Sequence, residues 1–186
     1  MSPGLIVLII VAAAVLLVGL MYNGLVQLRV RAESAWSDID VQLKRRHDLI
    51  PNLVETVKGY AAHEKGVFEN VAKARSMAMS ATSPEQAGAA EGMLTQALRG
   101  LFAVAENYPQ LKANENFLKL QNRISELEER IADRREFFND DVNTYNTRIG
   151  QIPDVFVASF MGLKRREMFQ VSEEDKKQVE VNFQQA

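Results

Sequence analysis

The sequence predicts an all-α protein: a single N-terminal transmembrane helix continuing into a long-helix antiparallel bundle of about four main helices and a short C-terminal segment. Three observations predict it. The first 28 residues contain no charged side chain. Thereafter apolar residues recur at spacings of three and four, the period of one helix face. One late stretch repeats apolar residues at every seventh position, the pattern of helices packed at small crossing angles. The domain division that follows is residues 1–24 for the anchor and residues 25–186 for the bundle.

The anchor comes first. Gly4 to Tyr22 reads GLIVLIIVAAAVLLVGLMY, without a strongly polar group. At about 1.5 Å per residue this segment gives roughly 28 Å of helix, close to the thickness of a hydrocarbon core. A helix satisfies its own backbone hydrogen bonds in lipid, so membrane lipid is the expected partner of residues 4–22. A cleaved signal peptide is the competing reading. It normally carries a basic segment before a shorter apolar one, and no Lys or Arg precedes this run. Arg29, Arg31 and the Lys44-Arg45-Arg46 run follow it. The positive-inside tendency then places the amino terminus outside and the helical domain in the cytoplasm of a single-pass protein of the bacterial cell membrane.

The first bundle helix shows apolar positions at Leu25, Leu28, Ala32, Ala35, Ile39 and Leu43, with Trp36 beside them. No proline lies between Gly4 and Ile50, so anchor and helix are expected to form one rod to about residue 47. Pro51 predicts a boundary, because proline lacks a backbone donor and disfavours helix in the residue before it; Asp48 is the expected new cap. The second helix follows with Ile50, Val57, Val71 and Ala78 in sevens and is expected to end near Ala81. Ser83-Pro84-Glu85-Gln86 predicts a third start, with Ser83 as cap, Pro84 in the first turn and Gln86 closing a capping box. That helix carries Ala87, Ala90, Leu94, Leu98, Leu101 and Ala105 and stops at Asn107-Tyr108-Pro109. Asn114 caps the fourth and longest helix, whose seam is Phe117, Ile124, Ile131, Phe138 and Tyr145; Gly150 and Pro153 end it.

After Pro153 the texture changes. Val155 to Leu163 is nearly all apolar and is followed by Lys164-Arg165-Arg166. It reads either as a short helix over the end of the core or as an amphipathic foot that touches the membrane surface or another subunit, with Phe156 and Phe160 as contacts. Ser172 is a candidate cap for a last turn, and Val179 to Phe183 alternates like an extended segment.

Composition narrows the function. Lys plus Arg is 22 and Asp plus Glu is 24, for a net charge of −2, so no basic excess points to nucleic acid. The absence of cysteine removes disulfides, thiolate nucleophiles and zinc–sulfur sites. His63-Glu64 begins like a zinc-protease helix, but position 67 is Val, so the second histidine ligand is missing. No phosphate-binding glycine loop or nucleophile elbow is present. The expectation is a protein with no catalytic residue, no metal and no cofactor.

Several residues read as candidate interface. Lys44, Arg45 and Arg46 form either a solvated helix end or a contact for a protein partner. Arg134 falls on the second apolar row after Leu127, where it either reaches solvent or meets a carboxylate across helices, Asp38 or Asp40. Glu126–Arg130 and Glu115–Lys119 are spaced as surface ion pairs. Asn139, Asn143 and Asn146 share one helix face, open to an interface or to solvent. Trp36 is either core or a subunit anchor.

Three stretches together resemble one family: AWSDIDVQLKRRHDLIPNLVETVKGYAAHE (35–64), LFAVAENYPQLKANENFLKLQ (101–121) and NDDVNTYNTRIGQIP (139–153). They are similar to the LemA family of bacterial membrane proteins. The resemblance implies a helical bundle behind one amino-terminal membrane helix and implies little about activity. The reading is therefore a non-enzymatic, membrane-anchored helical scaffold that forms a homo-oligomer or organises a membrane-protein partner. The alternative is an adaptor or sensor that regulates a membrane protease or an envelope stress pathway.

Overall fold

A computed structural model describes residues 2–170; the sequence features at Ser172 and Val179–Phe183 lie outside them. The described residues form six helices and no strand, the all-α class that the periodicity predicts, though with a different division into helices: α1 (Pro3–Lys58), α2 (Lys65–Ser80), α3 (Pro84–Glu106), α4 (Pro109–Lys112), α5 (Glu115–Arg148) and α6 (Asp154–Phe160).

The expected break at Pro51 is absent: α1 runs through it to Lys58. Proline inside a helix leaves the carbonyl four residues earlier without its backbone donor. That carbonyl is His47 O, and the Arg75 Nε donates to it at 2.8 Å. A side chain from α2 thus replaces the missing N–H, and Asp48 is an ordinary exposed helical residue rather than a cap. The chain turns instead at Gly59–Glu64, where Tyr60 N–H and Ala61 N–H both donate to Val57 O.

The other starts follow their caps. Ser83 Oγ accepts from Gln86 N–H at 3.3 Å. The return arm of the capping box is shifted by one residue: Gln86 Oε1 accepts from the Thr82 N–H and hydroxyl, not from Ser83. Asn114 Oδ1 accepts from Phe117 N–H at 3.0 Å, which starts α5. A single helical turn, α4, occupies the Pro109 segment between α3 and α5.

The chain divides into two compact units, and α1 and α5 each contribute a segment to both. The first unit holds the residues up to Asp40 together with Asp133–Met168. Its core joins Leu25, Tyr145, Ile149 and Ala158, with Leu28, Val157, Met161 and Leu163 packed around them. Trp36 lies against Phe138, ring centroids 5.6 Å apart. After α6 the chain turns at Gly162, whose φ of +65° lies in the left-handed region that glycine enters without strain. It then passes beside α5: Tyr145 Oη donates to Lys164 O, and Asn146 exchanges two hydrogen bonds with the Arg166 backbone.

The second unit holds Val41–Ala132 with Phe169 and Gln170. Its core is larger and gathers Ile50, Leu53 and Val57 of α1, Phe68 and Val71 of α2, Leu94, Leu98 and Leu101 of α3, and Phe117 and Ile124 of α5. Gly88 of α3 is where the chain crosses closest. A Cβ built there would lie 2.0 Å from Gln170 O, so only glycine admits that strand of backbone.

Candidate functional site

The second unit encloses a cluster of ionisable side chains. Arg46, His47 and Glu91 are buried, in helices whose neighbouring stripe positions are apolar. Arg46 continues the α1 spacing Ile39, Leu43, Arg46, Ile50, Leu53, and Glu91 continues the α3 spacing Ala87, Glu91, Leu94, Leu98. Each charge therefore faces the core because its helix turns it there.

The bonding is convergent. One Arg46 Nη pairs with Glu91 Oε2 and also donates to Glu91 O at 3.4 Å. The other Nη donates to Thr95 Oγ1 at 3.1 Å and to Glu128 Oε1 at 3.3 Å. His47 Nε2 meets Glu91 Oε1 at 2.6 Å. Both oxygens of Glu91 are thus engaged, one by each of two adjacent α1 residues. Glu128 sits at the rim, one-third exposed, and burial pushes its carboxyl above the ordinary carboxylate value against the pull of Arg46 and Arg99. Taking charges out of water is costly, and a buried ion pair holds only when its remaining donors and acceptors are matched. Here both Arg46 Nη groups and both Glu91 carboxylate oxygens are matched across α1, α3 and α5, while the buried Arg46 Nε has no partner among the described residues; the cluster fixes which turns of those helices face one another.

The cluster is built to hold position. Its guanidinium and carboxylates are committed to one another, and no His, Cys, Asp or Glu group that could hold a metal occurs among the described residues.

The first unit carries a second feature. The apolar part of α1, from Pro3 to Leu20, is exposed at every residue. Beside its lower part sits α6, where Phe156 is 69% and Phe160 94% exposed. Asp154 at the head of α6 is buried and takes the Arg148 Nε at 2.6 Å. Glu33 accepts from Arg29 at 3.1 Å and from Arg166 at 2.5 Å, and those two hydrogen bonds hold its carboxyl below the ordinary carboxylate range.

The residues singled out on sequence fall into distinct environments. Lys44 and Arg45 are exposed on α1, whereas Arg46 between them and the core is closed to any outside partner. Arg134 reaches Asp38 at 3.8 Å with both side chains more than half exposed, an ion pair of small energetic weight. Asn146 is bonded to the Arg166 backbone, Asn139 is half-buried, and Asn143 is exposed. Trp36 is half-buried against Phe138. Glu115 and Lys119 pair at 3.6 Å, but Glu126 takes Arg123 at 2.8 Å rather than Arg130. Sequence reasoning missed Glu91, Thr95 and Glu128. The signal was available for Glu91 alone: an acid at a stripe position opposite a base at a stripe position.

These features define a class: an all-α protein with, among the described residues, one helix long and apolar enough to cross a membrane, and with a buried charge cluster inside its second helical unit. The family follows from comparison. The LemA family model matches residues 35–183, and the chain belongs to that family. Its relatives include the magnetosome proteins MamQ 1 and MamQ 2 of Paramagnetospirillum magneticum strain AMB-1, each 28% identical. MamQ of Magnetospirillum gryphiswaldense strain MSR-1 is also 28% identical. In each case the match covers 80% of this chain and 64% of the relative, so the chain spans a little under two thirds of the length of the relatives it matches.

Proposed function

We propose that the protein is a membrane-anchored, non-enzymatic helical scaffold that associates with copies of itself or with another membrane protein. The observation that carries this reading is α1. Eighteen successive residues, Pro3 to Leu20, are exposed and uncharged, and the same helix continues without a break into the packed helices. An apolar surface of that length has no stable place in water and matches a bilayer. The relatives are named for a cellular structure and not for a reaction, which fits a part in holding an assembly together. The expected orientation keeps the helical units in the cytoplasm, on the side of Arg29 and Arg31.

Light scattering of the particle in mild detergent tests the scaffold reading. The expected mass of protein per particle exceeds 20.9 kDa, or a second membrane protein co-purifies. A strict monomer without a partner contradicts it. A cysteine introduced at exposed Ser76 tests the orientation: an impermeant reagent added to intact cells should leave it unlabelled.

One observation favours the adaptor reading. In the second unit, α2 and α3 leave an open groove of about 500 Å³ lined by Val67, Ala74, Met77, Met93 and Ala97. Flexible thioether side chains suit surfaces that accept varied apolar partners. Photo-cross-linking from Met77 separates the two readings: an adaptor captures a distinct protein there, a self-associating scaffold captures its own chain.

A further inference from the structure

We infer that α6 is a membrane-inserted foot, with Phe156 and Phe160 sunk into the hydrocarbon of the cytoplasmic leaflet beside α1. The inference rests on the reading of α1 as a span and adds a second point of contact to it.

Depth is set by α1. Its charge-free run ends at Arg29. A hydrocarbon core takes about 20 helical residues. Every window of that length between residues 3 and 28 contains Val15, Val18, Gly19 and Tyr22. Those residues and Phe156, Val157 and Phe160 line one open apolar groove of about 500 Å³. The groove lies about 10–20 Å to the membrane side of Arg29 at 1.5 Å per residue. Whatever depth α1 occupies as a span, α6 shares it.

The side chains agree with that depth. Phe156 and Phe160 are four residues apart, on one face of α6, and the structure covers neither. Ile152, just before the helix, is 81% exposed. The opposite face is pinned to the first unit through Ala158, which packs with Leu25, Tyr145 and Ile149. α6 therefore cannot turn its aromatic face inward without giving up that contact. Charge is sorted along the same axis. Arg148 holds Asp154, the only acid of α6, and the exposed Lys164 and Arg165 come after Gly162, where the chain has turned back toward Glu33. Cations at that level suit anionic headgroups, and the acid next to the bilayer is neutralised by its own partner.

The chain has no cysteine, so single-cysteine variants need no background changes. Phe160→Cys, Val11→Cys and Ser37→Cys are each labelled with a small fluorophore, and the full chain is placed in phosphatidylcholine–phosphatidylglycerol vesicles. Val11 reports the span, and exposed Ser37, on α1 beyond Arg29, reports water. The expected result is loss of fluorescence at 160 with acyl-chain-brominated lipid, comparable to that at 11, and protection from aqueous iodide, unlike 37. Iodide quenching at 160 equal to that at 37 overturns the inference. Protection from both quenchers at 160 also overturns it, because another protein surface then covers the face. If the label at 11 escapes the brominated lipid, the span itself fails, and the two failures are told apart.

Discussion

Arg75 shows how one side chain decides an element. A proline at position 51 removes the donor for His47 O, and Arg75 supplies a replacement from α2. Arg75→Leu is expected to lower the stability of the helical unit by about 1–3 kcal/mol, the cost of a buried acceptor left unpaired. In a Pro51→Ala background the backbone N–H returns, and the same substitution should cost much less. Thermal unfolding of the four chains in detergent measures the coupling; equal costs in both backgrounds contradict the assignment. The buried charges make a second prediction. Glu91→Gln strips Arg46 of its main counter-charge and should cost about 3–5 kcal/mol. Glu128→Gln, at the rim, should stay within about 1 kcal/mol of the parent. The pH dependence has a definite sign. Glu128 binds its proton more tightly folded than unfolded, so its contribution to stability grows as pH falls through its raised value and is lost as pH rises. Glu33 acts oppositely: its contribution is complete above the ordinary carboxylate value and is lost as pH falls through its lowered one. Unfolding midpoints of Glu128→Gln and Glu33→Gln followed from pH 7 into acid should each lose one of these two slopes.

At the scale of elements, the contrast between two glycines of α3 tests the packing. Gly88→Ala drives a Cβ into the Gln170 backbone and should destabilise by about 1–3 kcal/mol, as overpacking does. Gly100 is exposed in the same helix with nothing within 4 Å of its Cβ position. Gly100→Ala should stabilise by about 1 kcal/mol through helix propensity. A reversed order of the two midpoints would refute the crossing at Gly88. Much of this level was legible in the sequence. The sevenfold seam from Phe117 to Tyr145 is buried along its whole length, and Ser83 and Asn114 cap the helices they precede. Those signals are local: the residue and its partner lie within one or two turns. What was not legible depends on partners far along the chain. The continuity of α1 through Pro51 needs an arginine 24 residues later, and the burial of Arg46 needs acids on α3 and α5. The proline rule is sound on its own terms and was overruled by a tertiary hydrogen bond. Continuing the Ile39–Leu43 stripe by three residues would have placed Arg46 inward, and the assumed break at Pro51 hid that step.

For the molecule as a whole, one helix joins the segment that suits lipid to the segments that pack. The charge-free run and the exposed stretch from Pro3 to Leu20 were both readable from composition, because a bilayer selects on apolarity alone. The identity of a partner was not, because interfaces resemble the rest of a protein surface in bulk character. Extraction of cell membranes with alkaline carbonate tests the central claim most directly. The account predicts that the full chain stays in the membrane pellet, whereas replacing Val11 and Val15 with Asp releases it. Release of the unaltered chain into the supernatant would contradict the claim.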